Sequence, residues 1–172
     1  MTDQHLRKLL KDVQDGNLDL DSALQQLSPP VMDIGYARVD LHRQHRQGHA
    51  EVVYCPGKTS EQIAGILKTL DAAGQNLLAS RAAPEVFAHV EPLIDGIQYN
   101  AIGRLIWKIN SPPPQKKGIV QVISAGTSDM PVAEEASAVA EFLGNPVKRT
   151  FDAGVAGLHR LLGNVDEIRQ AR

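Results

Sequence analysis

Two segments in the second half of the chain carry side chains that bind phosphate and move protons. The first runs from Ser124 to Asp129, between a run of β-branched residues and a helical pattern. Its free backbone amides would meet the positive end of a helix dipole, where anions bind. Gly126 lets a ligand approach the backbone, and Thr127 and Ser128 add hydroxyl donors. Asp129 can accept from a ribose hydroxyl or hold a proton, although Ser128 or Asp129 as a simple helix cap is an equal alternative.

The second segment runs from Asp152 to Arg160 and follows the next strand pattern. Neighbouring loops at the carboxyl ends of parallel strands form ligand sites in open α/β folds, so we expect the two segments to lie side by side. Gly154 belongs to its glycine-rich turn. His159 is a candidate for proton transfer, since imidazole exchanges protons near neutral pH, and Arg160 is a candidate phosphate partner. A lone histidine near a helix start is also commonly structural.

A third group of candidates lies in the first half of the chain. Gly57, Lys58 and Thr59 resemble the end of a P-loop, but Val52 stands where that motif requires glycine. A cation and free amides at a helix N-terminus still favour a phosphate, and the alternative is a helix cap beside a solvated lysine. Arg81 follows a predicted strand and is either an anion clamp or a member of a surface ion pair.

Histidine and cysteine usage limits the metal and thiol chemistry. The chain has six His and one Cys, which excludes an intrachain disulfide and a cysteine-built zinc site. His42, His45 and His49 would share one face of a helix, but no acidic ligand recurs at that spacing. We therefore prefer an anion-facing or solvated basic surface there and expect no metal. Cys55, at a predicted strand end, is typical of packing and not of a nucleophile.

Length and composition exclude several classes of protein. With 172 residues, 42% of them hydrophobic, the chain can build one ordinary domain or two small ones. Eighteen Lys and Arg against twenty Asp and Glu give a formal charge of -2, so no global positive field favours nucleic acid or a membrane surface. No apolar run approaches the ~18 residues of a membrane span, and the first residues lack a signal-type apolar stretch. We expect a cytoplasmic protein.

Hydrophobic spacing and turn residues predict the elements that position these candidates. Residues 1–30 are predicted as a helical lead-in and residues 31–110 as a small α+β domain. Thr59 begins a capping box that starts one helix of this domain, and Pro84 starts another. The predicted strands of the domain are residues 36–40, 51–54, 76–79 and 96–99.

The second half of the chain has a different pattern. Residues 111–117 are proline-rich and are predicted as a linker. Residues 119–123 then form a nearly continuous β-branched run, as in a strand buried on both faces. A helical pattern and a second strand at 146–151 complete a βαβ unit, which predicts a parallel sheet within residues 118–172. The predicted fold class is α/β.

Several blocks in order give the sequence a recognisable signature. In the first half they are residues 36–40, 46–48, 51–54 and 57–62, and in the second half the longer blocks 124–135 and 152–162. In these blocks the sequence resembles proteins of the LarB type, the pyridinium-3,5-biscarboxylic acid mononucleotide synthases. The resemblance spans about residues 32 to 166.

LarB proteins are related to PurE-type aminoimidazole ribonucleotide carboxylases. The resemblance implies that residues 118–172 are the first half of a flavodoxin-like, PurE-related domain, in which residues 126–129 hold nucleotide and His159 moves protons. It also implies that Arg38, Lys58, Thr59 and Arg81 close over a pyridinium mononucleotide. The implied activity is carboxylation of the pyridinium ring of nicotinic acid adenine dinucleotide and hydrolysis of its phosphoanhydride to release AMP. CO2 or bicarbonate is the implied co-substrate, and the product begins the nickel-pincer nucleotide cofactor.

The resemblance further predicts that the sequence is C-terminally incomplete. Family members continue past the position of Arg172 with further strands, a glycine-rich third loop and a cysteine that attacks the ring, which Cys55 does not match. A doubly wound sheet that ends after two strands exposes an edge. We therefore expect a fragment that is inactive alone or a domain completed by partners, and a homo-oligomer.

Three other functions remain open from the sequence. The nearest is an enzyme that acts on aminoimidazole ribonucleotide as a carboxylase or mutase, which nucleotide binding would distinguish. A non-catalytic nucleotide-binding module is the second. A hydrolase built from Ser124, Asp152 and His159 is the weakest, because no G-x-S-x-G elbow surrounds Ser124.

Overall fold

The N-terminal segment is helical, as its apolar spacing predicts. The structure is a computed structural model that describes residues 3–27, 31–41, 43 and 47–171. Within the described residues the first helices are α1 (Asp3–Gln14) and α2 (Leu20–Leu27). No helix in these ranges is both long and apolar enough to cross a bilayer.

A mixed four-stranded sheet forms the centre of residues 31–110. The strands of this region are β1 (Val31–Asp33), β2 (Arg38–Asp40), β3 (Val52–Tyr54), β4 (Leu77–Ser80), β5 (Gln98–Asn100) and β6 (Leu105–Lys108). β1 and β2 form an antiparallel pair, and the other four form a sheet in the order β3-β4-β6-β5. β3 and β4 run parallel, while β4 with β6 and β5 with β6 run antiparallel.

The predicted strands of this region are confirmed to within about two residues, but β1 and β6 were not predicted. β1 is exposed along its length, so it has no hydrophobic alternation to detect. β6 is a short run of apolar residues ending in Lys108, and such a run has no clear period. Its pairing with β4 and β5 makes it a strand.

Two helices cover one face of the sheet and bury the main core. Helix α3 (Ser60–Ala72) places Ile63, Leu67 and Leu70 against β4 residues, and all three side chains are fully buried. Helix α4 (Pro84–Val90) starts at the predicted proline. The predicted capping box of α3 is confirmed: the Thr59 hydroxyl accepts from the Gln62 amide at 3.3 Å, and the Gln62 side-chain carbonyl accepts from the Thr59 amide at 3.1 Å.

The second half forms the predicted βαβ unit. β7 (Val120–Ile123) pairs in parallel with β8 (Val147–Thr150), and α5 (Met130–Phe142) makes the crossover. Short helices α6 (Leu158–Leu162) and α7 (Val165–Ile168) follow β8. The chain is therefore α/β with mixed and parallel sheets, which is consistent with a flavodoxin-like, PurE-related fold.

The two halves share a second, smaller core. Leu78 and Leu105 of the four-stranded sheet pack with Phe142 of α5, and Trp107 lies against them. A cavity of about 300 Å³ lies beside this cluster, between the sheet and α5. The domain boundary predicted at residues 111–117 stays a prediction. Contacts between the two halves do not show whether each half folds alone.

Loss of the α3 cap is expected to destabilise the protein. Thr59→Ala removes the hydroxyl acceptor at the N-terminus of α3 and should lower the free energy of unfolding by about 1 kcal/mol. Thr59→Ser keeps the acceptor and is the matched control. Urea unfolding followed by circular dichroism measures both variants, and equal loss in the two would contradict a capping role for the Thr59 hydroxyl.

Candidate functional site

The two predicted loops lie side by side, joined by main-chain hydrogen bonds. We call residues 124–129 loop 1 and residues 152–160 loop 2. The Ser124 amide donates to the Thr150 carbonyl at 3.1 Å, which continues the β7–β8 ladder into loop 1. The Ala153 amide then donates to the Ser124 carbonyl at 2.9 Å, and the Gly154 amide to the Ala125 carbonyl at 3.0 Å. The parallel pairing therefore extends beyond both strands and fixes the start of each loop against the other.

Gly154 is required at this junction. A Cβ at Gly154 would lie 2.9 Å from the Ala125 carbonyl oxygen, closer than real Cβ atoms come. In contrast, a Cβ at Gly126 would meet nothing within 4 Å. The space around Gly126 is therefore open to a ligand, and Gly154 serves the packing of the loops.

Loop 1 presents its polar residues to solvent. Thr127, Ser128 and Asp129 are exposed and form a 3-10 turn that leads directly into α5. The Asp129 carboxylate accepts from the Gly126 amide at 2.9 Å within this turn, so Asp129 stands at the N-cap position of α5 without capping that helix through its side chain. Ser124 is only 7% exposed, and its hydroxyl has no hydrogen-bond partner. A buried hydroxyl without a hydrogen-bond partner is unfavourable unless a ligand or a water molecule supplies that partner.

Loop 2 holds Arg160 through an ion pair. The Arg160 guanidinium donates to the Asp152 carboxylate through Nη1, while its Nε is buried without a partner. Asp152 itself has a left-handed backbone with φ 57°. His159 is exposed on α6, next to Arg160. The loop therefore offers one free imidazole and one guanidinium whose orientation a carboxylate fixes.

Lys58, Thr59 and Arg81 follow the carboxyl ends of β3 and β4, whereas Arg38 begins β2. The Lys58 ammonium donates to the Tyr54 carbonyl at 2.7 Å, and the Lys58 amide to the Cys55 carbonyl at 3.0 Å, which makes a tight turn before α3. Thr59 uses its hydroxyl in the α3 cap. Arg38 is exposed on β2. The sequence predicted that these residues lie near an anion, and the structure shows what Lys58 and Thr59 already contact.

Arg81 connects the first half to α5. Its Nε lies 3.5 Å from the Glu135 carboxylate, its Nη1 donates to the Tyr54 hydroxyl at 3.4 Å, and its guanidinium carbon lies 5.7 Å from the centre of the Tyr54 ring. Glu135 is six positions after Asp129, about 9 Å along a helix that rises 1.5 Å per residue. Arg81 therefore forms an ion pair, which places its guanidinium beside the helix that loop 1 begins, and its contact with an anion stays a prediction.

Sequence reasoning missed the residues that attach α5. The Asn100 side chain donates to the Glu134 carboxylate at 2.8 Å, and a Cβ at Gly103 would lie 3.0 Å from the backbone nitrogen of Glu135. Arg104 follows in the same turn and is exposed. Glu134 and Glu135 belong to a block of the family resemblance, but nothing in the sequence connects them to residues about 30 positions earlier.

A charge network holds the other side of α5. Arg149 of β8 donates to Glu141 at 2.6 Å and to Glu134 at 3.0 Å. The hydrogen bond from Arg149 holds the pKa of Glu141 below its usual range, and Glu141 in turn raises the pKa of Arg149. The network orients α5 relative to β8 and therefore loop 1 relative to loop 2.

Cys55 is buried at the end of β3. Burial raises the pKa of the Cys55 thiol to about 11, and the neighbouring Lys58 only partly opposes this effect. A thiol must ionise to act as a nucleophile, so Cys55 is suited to packing, in line with the expectation from its position.

The histidine-rich segment gives no evidence of a metal site. Within the described ranges, no three His, Cys, Asp or Glu side chains converge closely enough to hold a metal ion. His42, His45 and Arg46 lie outside the described residues, so the spacing argument for this segment stays a prediction. The His49 ring nitrogen lies 3.1 Å from the Ala50 carbonyl.

Two comparisons with known proteins show what the chain is similar to. Residues 31–110 match the family described as the LarB/PurE-like N-terminal domain. The chain is also 33% identical over 171 residues to an uncharacterized protein of Methanocaldococcus jannaschii, MJ0165, and the match covers 92% of the chain. The chain spans 65% of the length of this curated relative. The matched residues are those for which the sequence predicts an α+β domain.

The contact between the two loops generates a stability prediction. Gly154→Ala forces a methyl group onto the Ala125 carbonyl and should lower the melting temperature by several degrees, since overpacking costs about 1–3 kcal/mol. Gly126→Ala makes the same chemical change in open space and should leave the melting temperature unchanged. Differential scanning calorimetry compares the two variants. Equal effects would show that loop 2 does not press on loop 1.

The buried Cys55 thiol predicts a loss of stability in alkali. Its pKa is about 11 in the folded protein, against an ordinary value of about 8.5, so the unfolded chain releases a proton that the folded protein retains. The neutral thiol therefore contributes fully to the free energy of unfolding below about pH 8.5, and this contribution is lost as the pH rises toward 11. Urea unfolding at pH 7.5 and 10 measures how much the free energy of unfolding changes with pH in the wild type and in Cys55→Ala. The other groups that titrate in this range are common to both proteins, so an identical change in the two would contradict the raised pKa of Cys55.

Proposed function

Because residues 31–110 are a LarB/PurE-like N-terminal domain, we propose that the chain provides the nucleotide-binding part of a pyridinium carboxylase and phosphoanhydride hydrolase. The proposed substrate is nicotinic acid adenine dinucleotide, with CO2 or bicarbonate as co-substrate. The family match supports a carboxylase-related role. The relative from Methanocaldococcus jannaschii is described as uncharacterized. The finer activity is what the resemblance to LarB-type proteins implies, and the arrangement of the two loops supports it.

The observation that carries the proposal is the hydrogen-bonded contact between loop 1 and loop 2. It brings exposed hydroxyls, a carboxylate and an imidazole to the carboxyl ends of two adjacent parallel strands. This edge is where open α/β sheets bind their ligands. The hydroxyl of Ser124, buried and without a partner, supports a polar ligand there.

The proposed roles follow from the exposed groups. Gly126, Thr127 and Ser128 hold the phosphate of the mononucleotide with backbone and hydroxyl donors. Asp129, already bonded to the Gly126 amide, keeps further carboxylate lone pairs for a ribose hydroxyl. Carboxylation replaces a ring C–H bond by a C–C bond to CO2, so a proton must leave, and His159 is the group proposed to take it.

Cations stabilise the second half of the reaction in this proposal. When water attacks the phosphoanhydride, the P–O bond to AMP breaks and negative charge grows on the departing phosphate. Lys58, Arg81 and Arg160 are the cations proposed to stabilise that charge. Cys55 has no part in the chemistry, because its thiol is buried and its pKa is about 11.

We also propose that the protein acts as a homo-oligomer. Apolar side chains are exposed on and around loop 2, including Val155, which is 79% exposed, Leu158 and Leu162. Val132 of α5 is exposed as well. Apolar groups grouped around a site support association with another surface, since burying them is favourable.

Nucleotide binding tests the proposed substrate class. Titration calorimetry of the chain with nicotinic acid adenine dinucleotide should give saturable binding, and aminoimidazole ribonucleotide should bind more weakly. Tighter binding of aminoimidazole ribonucleotide would instead favour the purine-biosynthesis alternative. Binding of neither nucleotide would overturn the assignment of the two loops.

The role of His159 is tested in the same samples with bicarbonate added. If these residues perform catalysis, AMP is released, and His159→Asn should slow formation of the carboxylated product by about 10²–10⁴-fold at unchanged nucleotide affinity. His89→Asn, in α4, is the matched control and should react as the wild type. Binding without AMP release would restrict the proposal to the binding role.

A further inference from the structure

The cavity between the central sheet and α5 has no part in the proposed function. Its volume of about 300 Å³ lies at the lower end of the range of about 300–1,000 Å³ in which small molecules bind. Its buried apolar wall is formed by Leu78, Leu105 and Phe142. Ile109 and Glu141 are the exposed residues of its lining, so the cavity opens to solvent beside them. A small molecule can therefore enter from solvent and contact both halves of the chain.

One face of α5 forms the opposite wall of the cavity. Four lining residues, spaced at i, i+4, i+7 and i+8, lie on this side of the helix: Glu134, Ala138, Glu141 and Phe142. A helix that faces a core usually carries apolar residues at such a spacing. Here the face carries two carboxylates, and the small side chain of Ala138 leaves the space between them and the sheet open. This face is therefore suited to a ligand with a charged group.

The two carboxylates carry more negative charge than the one cation that faces them can balance. Arg149 pairs with both Glu134 and Glu141, and the described residues contain no other cation paired with either. One negative charge therefore remains beside the cavity without a counterion. The two Glu141 oxygens accept from Arg149 at 2.6 and 2.7 Å, and a carboxylate has about four acceptor positions. Glu141 can accept from a ligand and keep its bonds to Arg149.

Trp107 of β6 gives the cavity an aromatic surface on the sheet side. Its side chain is half-buried against the cluster of Leu78, Leu105 and Phe142, and it lines the cavity. The face of an indole ring attracts cations, and the apolar wall favours a ligand that has a hydrocarbon body. The cavity therefore combines an apolar wall, an indole ring and a carboxylate charge that the protein does not balance.

We propose that this cavity is a binding site for a small organic cation, with its ammonium group at Glu141 and its apolar body against Trp107 and Phe142. A metal ion would need several oxygen ligands, which the apolar wall does not supply. An anion would meet two carboxylates. No residue of loop 1 or loop 2 lines the cavity, so the proposal is independent of the proposed function. The ligand contacts both the sheet and α5, and its binding should stabilise the contact between the two halves.

The fluorescence of Trp107 reports on the cavity directly, because the chain contains one tryptophan. Three probes of similar size differ in charge at neutral pH: benzylamine is a cation, benzyl alcohol is neutral and benzoate is an anion. Each is titrated into the protein at the same ionic strength, since salt screens charges near the surface. Benzylamine should change the emission saturably and bind about tenfold more tightly than benzyl alcohol, because hydrogen bonds to a charged group are the stronger ones. Benzoate should give no saturable change.

Two variants test the cavity and its charge separately. Ala138→Leu fills the cavity and should remove the response to benzylamine, whereas Ala136→Leu makes the same change on the exposed side of α5 and should bind as the wild type. Glu141→Gln keeps the shape of the side chain and removes the unbalanced charge, so benzylamine should bind no more tightly than benzyl alcohol. Glu85→Gln, exposed on α4, is the control for loss of one negative charge. Circular dichroism and melting temperature confirm that each variant folds.

The wild type alone can overturn the proposal. No saturable change with benzylamine, or equal affinity for benzylamine and benzyl alcohol, would show that the cavity is not a cation site. Unchanged binding of benzylamine to a folded Ala138→Leu variant would show that the probe binds elsewhere. If Ala138→Leu does not fold, Glu141→Gln decides, and an unchanged preference for benzylamine in that variant would overturn the assignment. Nucleotide binding by the two loops is measured separately, so failure of either proposal leaves the other standing.

Discussion

The attachment of α5 to the central sheet is the constraint on which the candidate site depends. Gly103 lets the β5–β6 turn approach the backbone of α5, and Asn100 and Arg81 then pair with Glu134 and Glu135. Loop 1 is continuous with α5, so fixing this helix also fixes loop 1 relative to the cations of the first half. Without this contact, the two groups of candidate residues would have no defined relation.

Three glutamates of α5 form the ion pairs and hydrogen bonds that orient this helix. Glu135 faces the first half through Arg81, Glu141 faces β8 through Arg149, and Glu134 contacts both sides. Surface ion pairs contribute little stability individually, but a network of this kind restricts orientation. The main contribution to stability comes from apolar burial, with Leu78, Leu105 and Phe142 packed between the two halves. Packing stabilises the contact, and the charges select its geometry.

The sequence alone determined much of the local structure and indicated the family resemblance. Capping residues and apolar spacing located α3, α4 and α5, because helix starts depend on side chains within a few positions of each other. A β-branched run, a helix and a second strand likewise indicated the parallel β7–β8 pair, since a crossover of that length permits little else. Loop 1 and loop 2 could therefore be placed at one edge, and the family resemblance of residues 31–110 agrees with the comparison.

Only the tertiary structure decided which distant side chains meet. It paired Arg81 with Glu135 and showed that Gly154 serves loop packing while Gly126 faces open space. These contacts join residues far apart in the chain. The type of a residue determines which bonds it can form, but it does not identify the residue with which it forms them. The contact of Arg81 with Glu135 is set by the position of β4 in the sheet and by the docking of α5. Those depend on the packing of the whole core, which no local pattern contains.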